Sequence, residues 1–268
     1  MSVVRRTRYV YQILQLGCSG YLHFVYGRLV GRRERVSGRS RRTVPAISDL
    51  SYEDWIEHAF SHEVRRHGNP WYFDDDPPWW DPPPAVAVAH LTRLFASPEA
   101  SLAFFSDAQI AQGLTYLVGT SASGDNGWLY SRTVPTDARL ACIEAIHELF
   151  ARLFAPRCPP VLGHLSEPGA DAPLSIVCYM WWDEFPCLAL PEDPDHQLLH
   201  EAAVRVMRRS LQLDSIACQE AALHGLGHWA RRHPELVERA VDEFLGANPT
   251  VRTELIAYAR AARCGCVL

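Results

Sequence analysis

At 268 residues and 48% apolar, the chain is long enough to bury one sizeable core without disulfide support. It has no lysine: all 26 basic residues are arginine, and residues 1–45 hold ten of them against one acid, Glu34, a balance of +9 that leaves −14 of the total −5 on the rest. An acidic body lacks the clustered basic face that tracks nucleic-acid phosphates, and no stretch reaches the roughly 18 consecutive apolar residues of a membrane-spanning helix.

The leader, residues 1–47, reads either as a disordered extension rich in arginine, glycine and serine or as a start placed too far upstream. Gln12 and Gln15 interrupt the apolar run that an export signal needs, so a cytoplasmic location is expected. The leader's charge suits an anionic partner. Eight cysteines are scattered through the chain with no CxxC pair, a distribution of reduced thiols inside helical patterns rather than of a disulfide framework.

A single all-helical domain is expected over residues 48–268. Ser51 is placed to cap a helix in which Trp55, Ile56, Ala59, Phe60 and Val64 recur at helical spacing. The tract from Asn69 to Pro84, NPWYFDDDPPWWDPPP, is too rich in proline for helix and too apolar for a plain linker. It predicts an ordered loop in which Trp71, Asp74, Asp75, Asp76, Trp79 and Trp80 combine aromatic anchors with charge, the mixture that forms hot spots for a protein partner. The same rings could instead fix the loop to the helices beneath it.

From residue 85 onward, periodicity predicts helices at about 85–95, 98–105, 107–118, 136–155, 174–185, 196–211, 214–232, 234–246 and 249–263, with no convincing strand. Ser97-Pro98, His233-Pro234 and Asn248-Pro249 each offer a cap followed by proline at a helix's first position. Within the segment from Asp214 to about Ala262, the run Ala-Ala-Leu-x-x-Leu-Gly, Ala221 to Gly227, resembles that of HEAT-like helical-repeat proteins. The resemblance implies a stacked-helix surface, at about 196–264, that binds other proteins and brings no catalytic residues.

Three histidine pairs stand at i and i+4: His58 with His62, His196 with His200 and His224 with His228. Composition alone would give roughly half of one such pair. Two histidines so spaced share a helix face and can hold one metal ion, but zinc needs three or four ligands. A helical wheel over CQEAALHGLGHW sends Cys218, Gly225, Leu226 and Trp229 to one arc, for the core, and leaves His224 and His228 on the opposite side beside Ala217 and Ala221. The remaining patterns are incomplete: Glu144-x-x-His147 occurs once where a di-iron bundle needs two copies, and no HExxH, GxSxG or P-loop motif is present. Cys264-Gly-Cys266 could form a redox pair, hold a soft metal or simply end the last helix.

The expectation is an all-α fold, a multi-helix bundle or short HEAT-like solenoid with long ordered loops. The functional expectation is a non-catalytic interaction module, of immunity or regulatory type, with a protein partner and no cofactor. The alternative is a metal-binding protein or metal-dependent hydrolase that uses the paired histidines, with zinc or another transition metal as cofactor.

Overall fold

The structure is a computed structural model that describes residues 46–47, 50–65, 69–73, 79–80, 82–119, 125–184 and 193–267. Residues 1–45 of the basic leader lie outside the described residues. The chain from Val44 to Leu268 forms one compact unit. Among the described residues the fold is all-α, and no helix is long and apolar enough to cross a membrane.

Eleven α-helices of four or more residues follow one another among the described residues: α1 Tyr52–Phe60, α2 Pro84–Ala96, α3 Pro98–Leu102, α4 Asp107–Val118, α5 Thr136–Leu149, α6 Pro173–Tyr179, α7 Trp181–Glu184, α8 His196–Ser210, α9 Ile216–Trp229, α10 Pro234–Ala247 and α11 Thr253–Arg263. Local chemistry sets many of their starts. The Ser51 hydroxyl accepts the Asp54 amide at 3.1 Å, and Ser106 forms a reciprocal capping box with Gln109. Pro98 and Pro234 open α3 and α10 as their spacing predicts.

Three boundaries differ from the periodic reading. The segment 174–185 breaks at Met180 into α6 and the single-turn α7. The last helix starts at Thr253 and not at Pro249, which stays in the turn after α10. Beyond Leu149, α5 widens into a π-helical stretch, Phe150–Phe154, which buries Phe150, Leu153 and Phe154. A two-residue parallel pairing of Ala46–Ile47 with Trp79–Trp80 ties the start of the body to the proline-rich tract. So short a pairing leaves no alternation to read.

The core is continuous, and α9 runs through it. Helix α9 packs on α6, α7, α8, α10 and α11. Every residue of α9 from Ala217 to Gly227 is buried, including Gln219, Glu220 and His224. The two-faced wheel is therefore corrected: Cys218 is core, but the opposite side of the helix is covered too. Ala217 and Ala221 were the signal, since small apolar residues on both sides of a wheel mark a helix enclosed by neighbours.

Two tryptophans of the proline-rich tract, Trp71 and Trp80, also point inward. The Trp71 ring stacks on His62 at 3.7 Å and meets Tyr116 at 4.6 Å, while Trp80 packs against Trp55 and His90, each at 5.7 Å. Both are buried, so neither is an exposed anchor for a partner, and they fix the tract to α1, α2 and α4. Asp74, Asp75, Asp76 and the side chain of Trp79 lie outside the described residues.

Candidate metal centre

The site begins with a glycine. Gly225 lies between His224 and His228 in sequence, and a Cβ built there would sit 2.6 Å from Trp182 Cβ. Only glycine lets α7 approach α9 this closely. Trp181 and Trp182 hold α7 from the other side, among Phe95, Phe150 and Phe154: Trp182 stacks on Phe150 at 5.7 Å, and Trp181 meets Phe95 edge-on at 5.6 Å. The next residue, Asp183, is thereby carried over the two histidines.

Asp183 spans both rings. Its Oδ2 lies 3.0 Å from His224 Nε2 and its Oδ1 3.0 Å from His228 Nε2, while the two Nε2 atoms are 3.1 Å apart. Two ligands bound at about 2.0–2.2 Å to one ion lie about 2.8–3.6 Å apart in octahedral or tetrahedral geometry, so each of these separations, which involve both oxygens of Asp183, is one that an ion could bridge. Among the described residues this is the one group of three or more histidine, cysteine or carboxylate side chains close enough to share an ion.

The surroundings orient the first histidine. His224 is buried, and its other ring nitrogen, Nδ1, lies 2.8 Å from the Tyr258 hydroxyl, which in turn lies 3.1 Å from the Tyr179 hydroxyl. With an ion bound, Nδ1 donating to Tyr258 and Tyr258 donating to Tyr179 would leave the lone pair of His224 Nε2 free to ligate; without one, Nε2–H donates to Asp183. The former is the tautomer a metal requires, and a hydrogen-bond partner on the far nitrogen is the usual means of fixing it. Burial pushes the Tyr179 hydroxyl up to about 12 and that of Tyr258 higher still, so both stay protonated donors. His164 stacks on Tyr258 at 4.1 Å, and its amide and that of Gly163 donate to the buried Glu220 carboxylate at 3.0 and 2.7 Å. That clasp fixes the loop holding Tyr258 in place.

Burial raises the proton affinity of Asp183, but the hydrogen bonds from His224 and His228 outweigh it and hold the carboxyl well below the usual range. A charged carboxylate beside two imidazole nitrogens offers the charge and the spacing that a cation would need. Nitrogen and oxygen donors of this kind suit zinc and the other first-row divalent ions. His228 is 38% exposed and Asp183 23%, so the open side of the cluster faces solvent.

The other histidine pairs do not join it. His58 Nε2 meets the Tyr116 hydroxyl at 3.3 Å and His62 Nε2 donates to the His58 carbonyl at 2.8 Å. His196 Nδ1 donates to the Asp193 carbonyl at 2.8 Å, and His200 Nδ1 lies 3.0 Å from His233 Nε2. The glutamate of the Glu144-x-x-His147 unit instead pairs with Arg205 at 3.0 Å and Arg209 at 3.4 Å. Sequence reasoning found His224 and His228 but missed Asp183 and Tyr258. Convergence of two histidine pairs is not what completes the set; a carboxylate from a four-residue helix does. No family model, curated protein or solved structure matches the chain.

Proposed function

We propose that this protein binds a divalent transition-metal ion, of the zinc class by donor type, through Asp183, His224 and His228. The single observation that carries this reading is the approach of two imidazole nitrogens 3.1 Å apart, each 3.0 Å from a different oxygen of one carboxylate, contributed by two helices that Gly225 brings together. Without an ion, each ring gives an Nε2 proton to one oxygen of Asp183, but the two Nε2 atoms then face each other at 3.1 Å. A divalent ion satisfies the carboxylate and both nitrogens at once.

Three protein ligands leave a position for water or an exogenous ligand, the arrangement of exchangeable zinc sites rather than of closed four-ligand structural ones. The solvent-facing side of His228 supplies the access. Cobalt(II) titration of protein made without a histidine tag tests the reading. Visible d–d absorption that saturates at one equivalent, is displaced by zinc and is lost in the His224→Ala, His228→Ala double variant supports it. A folded protein that shows no such absorption at millimolar cobalt overturns it.

A further inference from the structure

A pair of chemistry-bearing groups outside the three proposed ligands lies at the end of α11. Helix α11 closes in a Schellman turn: the Cys266 amide donates to the Ala261 carbonyl at 2.9 Å and the Gly265 amide to the Ala262 carbonyl at 3.0 Å. Gly265 takes φ +70°, the left-handed conformation that the turn requires. The turn is seated against α9, since a Cβ at Gly265 would lie 3.3 Å from Ala230 Cβ and from the Gly227 carbonyl, and Val267 covers Gly227.

The consequence is a fixed dithiol. Cys264 and Cys266 are both exposed free thiols, with their sulfurs 3.0 Å apart. A disulfide bond is about 2.05 Å, so closure needs the sulfurs to approach by about 1 Å, in a turn already folded back on itself. The cysteines described elsewhere, Cys142, Cys158, Cys178 and Cys218, are buried. Burial pushes the Cys142 thiol up to about 12, which keeps it inert.

We propose that Cys264 and Cys266 form a reversible redox pair that exchanges with a small-molecule disulfide of the glutathione class. The step balances as follows. The thiolate of one cysteine attacks the external disulfide, forming a mixed disulfide and releasing the first small thiol, which takes up the proton the cysteine lost. The thiolate of the other cysteine then attacks the protein sulfur of that mixed disulfide, closing the Cys264–Cys266 bond and releasing the second small thiol. Two protein thiols are oxidised and one external disulfide is reduced to two thiols; the reverse sequence reopens the pair. This proposal stands independently of the metal centre.

The test uses the full-length protein equilibrated with oxidised and reduced glutathione, followed by acid quench, alkylation and tryptic mass spectrometry. Cleavage after Arg263 isolates the pair in the peptide Cys264–Leu268. The expected result is that this peptide loses two hydrogens and carries no glutathione, with return to the dithiol as reduced glutathione is raised. In C264S and C266S the remaining cysteine should carry the glutathione adduct under oxidising buffer ratios, because no neighbouring protein thiol displaces it and only external glutathione reverses it. G265V, which keeps both thiols but disfavours the left-handed turn, should prolong the mixed disulfide. A wild-type peptide that stays fully reduced, or keeps glutathione as stably as the single-cysteine variants, would overturn the proposal.

Discussion

Asp183 and His224 are 41 residues apart in sequence and 3.0 Å apart in space, joined by a carboxylate–imidazole contact that locks α7 onto α9. The contact depends on a missing side chain, that of Gly225, and on two buried tryptophans that hold α7 against the core.

Gly225→Ala places a methyl group 2.6 Å from Trp182 Cβ and Cγ and 2.9 Å from Met207 Sδ. Met207 can give way, but the backbone-proximal atoms of Trp182 cannot without moving α7. Overpacking of this kind costs about 1–3 kcal/mol. Chemical denaturation should show that loss, and zinc affinity should fall with it, because Asp183 moves with Trp182.

Tyr258→Phe deletes the hydroxyl that holds His224 Nδ1 and touches none of the three ligand atoms. Outer partners of metal-bound histidines are worth about 10- to 100-fold in affinity. A chelator competition assay should therefore report zinc binding weakened by about tenfold or more, with the fold retained by circular dichroism. Affinity equal to wild type would show that Tyr258 does not set the His224 tautomer.

Acid stability should carry a signature of Asp183. Its folded proton affinity is depressed below its ordinary value of 3.8, so its contribution is present above that value and is lost as pH falls through it toward the lower folded value. Metal-free wild-type protein should accordingly lose more stability than Asp183→Asn between about pH 4 and pH 2. Urea denaturation series at fixed pH values measure the difference, and parallel curves would contradict it. Zinc affinity should fall on acidification as well, since each ligand must shed a proton to bind.

Arg139 is a buried cation, 2% exposed, whose guanidinium binds Asp193 at 2.5 Å and Asp195 at 2.6 Å. It anchors the chain entering α8 to α5. Arg139→Met leaves the Asp193 carboxylate buried without its partner, a change that costs about 3–5 kcal/mol. Thermal and urea unfolding should both report it, whereas loss of the exposed Arg93–Glu53 pair on replacing Arg93 with alanine should have far less effect, because solvent screens it.

The helices were legible because their signals are local. Ser106 with Gln109, Pro98, Pro234 and the stripe of Val237, Ala240, Val241 and Phe244 are each read within a few turns of chain. The candidate metal centre is half visible for the same reason: His224 and His228 stand out on one helix, whereas Asp183 sits in a stretch whose only local message is two tryptophans. Its role comes from packing across the core. The proline-rich tract misleads in the opposite sense, because Trp71 and Trp80 look like exposed anchors in composition and are buried once α1 and α4 are folded.

The most direct measurement is the zinc-to-protein ratio after equilibrium dialysis of tag-free protein, in wild type and in Asp183→Ala, His224→Ala and His228→Ala separately. The account predicts one tightly held equivalent in the wild type and its loss in each of the three variants, with all four proteins folded. A folded wild type that retains no zinc, or an equivalent that survives removal of Asp183, would contradict it.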